Sequence, residues 1–158
     1  MNLKSPHTKG NITDPNCGDI SNYIENNLNK TWYVIDAVSS CENPRIAAFY
    51  THEIIQEFCS AHKIENRFDI GALLNEIHNA LKDQKLKLSV CFSAVFEMPN
   101  GSFEAINIGD CRVYELRENS LLRITRDDSF VQDLIDEGKL TEEQAVKIKT
   151  TKTKLIIV

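Results

Sequence analysis

His52, His62, His78, Asp19 and Cys41 are the residues whose types could ligate a metal, and their spacing does not gather them. The three histidines fall on predicted helices without ligand spacing, as surface or core histidines do. Asp36 ends an aromatic and β-branched run, TWYVIDAV, where a carboxylate can cap a turn. Asp127 and Asp128 precede a predicted helix, whose N-terminal dipole favours negative charge without further function. The five cysteines (Cys17, Cys41, Cys59, Cys91 and Cys111) are odd in number and contain no C-x-x-C pair, which fits reduced thiols. Cys59 and Cys91 sit in apolar patterns and read as packing residues. No P-loop, Rossmann glycine set or Ser-His-Asp arrangement is present, so the residues by themselves name no catalytic group.

The elements that must position these residues are easier to read. Residues 1–30 are polar and rich in Asn, either a loose arm or one short edge strand. Residues 31–38 have the composition of a buried strand. Asn43 caps a helix with Pro44 at its first position, where a missing N–H leaves nothing unpaired. Ile46, Phe49, Tyr50, Ile54, Phe58 and Cys59 recur at helical spacing along it. Asp69 is expected to cap a second helix, with Ile70, Leu73, Leu74, Ile77 and Leu81 as its apolar stripe. Strands follow at 88–98, 103–108, 112–117 and 121–125, with hairpin turns at Pro99-Asn100-Gly101 and Glu118-Asn119-Ser120. Phe130, Val131, Leu134 and Ile135 should face one way in a short helix that Gly138 ends. Thr141 and Gln144 form a capping box for the next. The apolar run 155–158 must pair within the fold, pair with another chain, or mark a truncation, because an exposed apolar edge is a liability in water. This order gives an α+β layout with helices on an antiparallel sheet.

The most informative stretch is 106–128, INIGDCRVYELRENSLLRITRDD, read as strand, Gly-Asp turn, strand, polar turn, strand and acidic helix start. It resembles the metal-dependent protein Ser/Thr phosphatases of the PP2C type, whose pattern there is roughly N-V-G-D-S-R-A-Y-x-x-R-x-G-x-L-x-x-L-T-x-D-H-S. Gly109, Asp110, Arg112, Tyr114, Leu116, Arg117, Leu122, Thr125, Arg126, Asp127 and Ser129 carry the match. The resemblance spans about 31–147 and implies an antiparallel β-sandwich flanked by helices. In the family the region around Gly109, Asp110, Arg112, Thr125 and Asp127 is mainly architectural.

The resemblance also implies a site with two Mg²⁺ or Mn²⁺ ions that activate water against a phosphoserine or phosphothreonine. Two ions roughly 3.5–4 Å apart stabilise both attacking and leaving oxygens, and they want hard oxygen ligands. The family's D-G-M-G-G-H motif aligns without gaps on Asp36-Ala37-Val38-Ser39-Ser40-Cys41. Asp36 keeps the bridging carboxylate, and Ala37 stands for the glycine whose carbonyl ligates one ion. The helix start G-E-x-A-S becomes Pro44-Arg45-Ile46-Ala47-Ala48, an acid exchanged for a base. The R-x-x-N-E-D motif maps near Thr13, Asn16, Cys17 and Asp19, with no arginine before Arg45. The family's later S-D-G-L and D-N motifs are absent from these 158 residues. The metal candidates are therefore Asp36, Ala37 and Asp19, with no catalytic residue assigned.

These readings imply residues 31–158 as a PP2C-like domain, C-terminally incomplete, that acts as a pseudophosphatase by binding a phosphoprotein, a kinase or a phosphatase. The alternative is an active Mn/Mg-dependent protein serine/threonine phosphatase with an altered metal site, which Asp19, Asp36 and Asp110 could complete across a dimer. No cofactor is expected, or else Mn²⁺ or Mg²⁺ held weakly at Asp36. A homodimer or protein partner is expected, to cover apolar surface. Net charge −5 argues against broad nucleic-acid binding, which needs a basic surface. Lys147, Lys149, Lys152 and Lys154 read as a solvated tail. No apolar run reaches the ~20 residues of a membrane span, and MNLKSPHTKG lacks a signal-peptide core, so a cytoplasmic protein is expected.

Overall fold

The computed structural model describes residues 18–83, 87–148 and 155–157. Thr13, Asn16, Cys17, Lys149, Lys152 and Lys154, to which readings were attached above, lie outside the described residues. Two sheets are formed. The first has the order β1-β2-β3-β4, all antiparallel, from β1 (Asp19–Glu25), β2 (Lys30–Ala37), β3 (Val90–Glu97) and β4 (Phe103–Ile108). The second has the order β6-β5-β7, from β5 (Arg112–Arg117), β6 (Ser120–Arg123) and β7 (Leu155–Ile157). Helices α1 (Pro44–Ala61) and α2 (Arg67–Asp83) join β2 to β3, and α3 (Phe130–Asp136) and α4 (Glu142–Ile148) follow β6.

Successive side chains of a strand point to opposite faces, and that alternation builds a layered molecule. One face of the first sheet carries Ile24, Tyr33, Ile35, Phe92, Ala94 and Phe96, which pack with Ala47, Ile55, Phe58, Leu73 and Ile77 of the helices. The other face carries Trp32 and Val95, which pack against Val113 of β5 with Tyr23 and Ala105 at the margin. Tyr23 stacks on Trp32 with ring centroids 4.9 Å apart. The first sheet is thus covered on both faces, helices on one and β5 on the other, which positions the ends of β1, β2 and β3 beside the turn between β4 and β5.

Local chemistry fixes the element ends. Asn43 Oδ1 accepts from Ile46 N at 3.1 Å and Pro44 opens α1, as the sequence predicts. Thr141 and Gln144 exchange side-chain bonds with each other's backbone N–H, at 2.8 and 3.2 Å. Three expectations change. Asn66, not Asp69, caps α2: its Oδ1 accepts from Phe68 N at 2.8 Å, while Asp69 reaches back to Glu65 N and Asn66 N. Phe130 is 75% exposed, although Val131, Leu134 and Ile135 are partly buried: at the first position of α3 it lies beyond the layer that covers Leu134 one turn on. The apolar run near the C-terminus pairs within the fold, but parallel to β5 (Arg112↔Leu155, Tyr114↔Ile157), so the second sheet is mixed rather than antiparallel. The intervening α3 and α4 provide the crossover that a parallel pairing requires.

Candidate metal-site remnant and the turn that faces it

Asp19 and Asp36 are direct partners in the β1–β2 ladder, and Asp36 is the direct partner of Cys91 in the β2–β3 ladder. Residues opposite one another share a face, so these three side chains form one row across the strand ends. Gly109 continues the row: a Cβ added there would lie 2.4 Å from Cys91 Sγ. The row lies on the sheet face that turns toward the second sheet. The tertiary structure therefore brings together the two carboxylates singled out in the sequence, and it adds a thiol between Asp36 and the Gly-Asp turn. Burial pushes the Cys91 thiol up, and Asp110 and Asp36 both act on it. The sequence marks Cys91 only as a packing residue, because strand register between positions 55 apart leaves no signal in a linear pattern.

Ala37, whose carbonyl is the third expected metal ligand, turns its side chain away from the row. It is buried on the helix face within the main core. Its N–H donates to Gly18 O at 3.0 Å. The space that its methyl needs comes from Gly18, where an added Cβ would be 2.6 Å from the Ala37 Cβ and 3.0 Å from Pro44 O. The side chain introduced at position 37 is thus packed, and Gly18 is the residue that must stay small.

The Gly109–Ser129 region is held by charge and by turn geometry. Gly109 has φ +83°, a left-handed conformation that a Cβ opposes. Its carbonyl accepts from Asp128 N at 2.7 Å and from Asn107 Nδ2 at 3.1 Å. Asp127 is 1% exposed. It accepts from Arg112 Nε at 2.7 Å and Nη2 at 2.6 Å, a bidentate fork, and from Arg123 Nη2 at 2.8 Å. The Asp127 carboxylate in turn holds the Arg112 guanidinium even more firmly protonated than usual. Thr125 Oγ1 accepts from Val113 N at 2.9 Å, extending the β5 edge beyond β6. Ser129 then caps α3. Asp127 tethers β5 and β6 to the start of α3, a role that a dipole at a helix N-terminus does not describe.

His52 is placed against the core, with Nδ1 2.9 Å from Tyr33 Oη, and Gln56 Nε2 donates to the same Oη at 2.9 Å. Burial pushes the Tyr33 hydroxyl up to about 12. Among the described residues no group of three or more His, Cys, Asp or Glu side chains could hold a metal ion. No helix among them is long and apolar enough to cross a membrane.

Catalysis by a two-ion centre needs several hard oxygen donors on each ion. The described row supplies carboxylates from Asp19 and Asp36, then a soft, neutral thiol and a glycine. That donor set does not fit a two-ion centre.

No protein-family model matches the chain. A segment of 40 residues, 25% of this chain and 8% of the relative, is 55% identical to the serine/threonine protein phosphatase PstP of Mycobacterium tuberculosis. Among solved structures, the PPM Ser-Thr phosphatase MsPP from Mycobacterium smegmatis superimposes with TM-score 0.71 at 17% identity, over 92% of this chain and 61% of that one. Stp1 from Staphylococcus aureus gives 0.69 at 17%, over 90% and 61%. The catalytic domain of PstP, in complex with two manganese ions, gives 0.67 at 20%, over 91% and 63%. The chain therefore spans less than two thirds of each of these structures. Its α+β architecture, with helices and β5 on opposite faces of the first sheet, is the fold of the PP2C-type (PPM) protein Ser/Thr phosphatases.

Proposed function

We propose that this chain is a PP2C-like pseudophosphatase, which keeps the phosphatase scaffold and acts by binding a protein partner: a phosphoprotein, a kinase or a phosphatase. The observation that carries this reading is the Asp19–Asp36 pair, whose next ladder partner is the soft, neutral thiol of Cys91 rather than a third carboxylate. Phosphate-monoester hydrolysis calls for acceleration of up to ~10²¹-fold, and two carboxylates without an arginine clamp do not supply it. The scaffold region is intact by contrast, with Gly109, Arg112, Thr125 and Asp127 all engaged. A metal-dependent phosphatase with an altered site is the second reading, favoured by the direct opposition of Asp19 and Asp36.

Calorimetric titration with Mn²⁺, on wild type and Asp36→Asn in parallel, separates the two. The pseudophosphatase reading expects no heat of binding in either protein and no turnover of a phosphothreonine peptide with Mn²⁺. Micromolar binding that Asp36→Asn abolishes, together with Mn²⁺-dependent turnover, would establish the second reading instead.

A further inference from the structure

The core uses only part of the apolar stripe of α2. Ile70, Leu73 and Ile77 are buried, whereas Leu74 and Leu81 on the same stripe are half-buried. Among the described residues β4 is the last strand of the first sheet, so no strand beyond Ile108 closes the layer under this part of the helix. A cavity of about 350 Å³ is left between Leu74, Ile77 and Leu81 of α2, Val90 and Phe92 of β3, and Ile108 of β4. Ile108 is 40% exposed, so the cavity reaches the surface there. Close-packed interiors leave few voids larger than a water molecule, and apolar walls give water no partners. A space of this size and lining falls in the range of small-molecule sites, ~300–1,000 Å³.

Three polar side chains share the wall: His78 and Lys82 of α2, and Ser89 just before β3. Residues four apart lie on one side of a helix, so His78 and Lys82 border the same stretch of the cavity. The Ser89 carbonyl accepts from Val38 N–H at 3.0 Å, which ties that wall to the end of β2. No carboxylate lines the cavity. We propose that it binds a single-chain carboxylate, the alkyl chain lying between α2 and the sheet and the carboxylate meeting Lys82 and His78. The wall decides the headgroup. An ammonium would meet the Lys82 charge with no acid to offset it, and an uncharged end would leave that charge unanswered. At ~30 Å³ for a group the size of a water molecule, the volume takes a chain of about ten carbons. Affinity then comes from the apolar area removed from water.

Calorimetric titration of the full chain with decanoate, below its micelle concentration, tests this: one saturable site per chain is expected. Methyl NMR should place the site, with shifts at Leu74, Leu81 and Ile108 and none at Val113 on the other face of the sheet. Decanol, the same chain without the charge, should bind about fivefold more weakly, and Lys82→Glu should weaken decanoate by about fivefold while leaving decanol unchanged. Leu74→Trp should fill the space and abolish binding of both. An absence of saturable binding overturns the proposal, as do methyl shifts confined to other residues. Decanol bound as tightly as decanoate, with both indifferent to Lys82→Glu, overturns it too. Lys82 is exposed, so its reversal leaves the core untouched and decides the matter even where Leu74→Trp fails to fold.

Discussion

Asp127, in the connection between β6 and α3, and Asp36, near the end of β2, occupy opposite electrostatic settings. Asp127 is buried and accepts three hydrogen bonds from Arg112 and Arg123, so its charge is matched by guanidinium groups from two strands. Asp36 has as its ladder partners another aspartate and a cysteine whose thiol burial keeps neutral. Charge-assisted, bidentate pairing makes an acid part of the architecture. An acid placed opposite another acid is tolerated best when a cation is near, which is the logic of a metal site rather than of a core.

That contrast yields predictions, from the largest effect down. Asp127→Asn leaves two arginines facing an amide. Breaking a buried pair by removing one partner costs about 3–5 kcal/mol, so urea denaturation should show a loss near the lower figure, since Arg112 and Arg123 are partly solvated. Gly109→Ala combines a left-handed φ with a Cβ only 2.4 Å from Cys91 Sγ, and should lower stability by about 3 kcal/mol. Cys91→Ala in the same chain should recover part of that loss, because the contact with Sγ goes while the 2.8 Å contact with the Cβ of residue 91 and the backbone strain stay. Asp36→Asn sits at the other end of the scale. It leaves Asp19 opposite an amide rather than a second carboxylate and should change stability by under about 1 kcal/mol in metal-free buffer, followed by thermal unfolding. Should Asp36→Asn prove as costly as Asp127→Asn, the contrast fails, and Asp36 is as structural as Asp127.

Capping and turn residues were readable because their physics is local. Asn43-Pro44, Thr141 with Gln144, and Gly138 act within a few positions of themselves, and each is found where its type implies. The cap of α2 was misassigned by three residues, because Asn66 and Asp69 both bond backbone N–H groups there and only coordinates rank them. The exposure of Phe130 escaped the pattern because an apolar type in a helical stretch reads as buried until the neighbouring layer is known. The parallel pairing of β7 with β5 follows from where α3 and α4 deliver the chain.

The sequence by itself determined the order of strands and helices, the Gly-Asp turn, and the two aspartates that deserve scrutiny. Those follow from periodicity, backbone freedom and side-chain type, which are properties of short segments. Only the tertiary structure decided that Asp19 opposes Asp36, that Cys91 stands between them and Gly109, that Ala37 is packed inward against Gly18, and that Asp127 is the tie between β5, β6 and α3. Each of these depends on strand register, which is set when whole faces bury together and is invisible to any one stretch of chain.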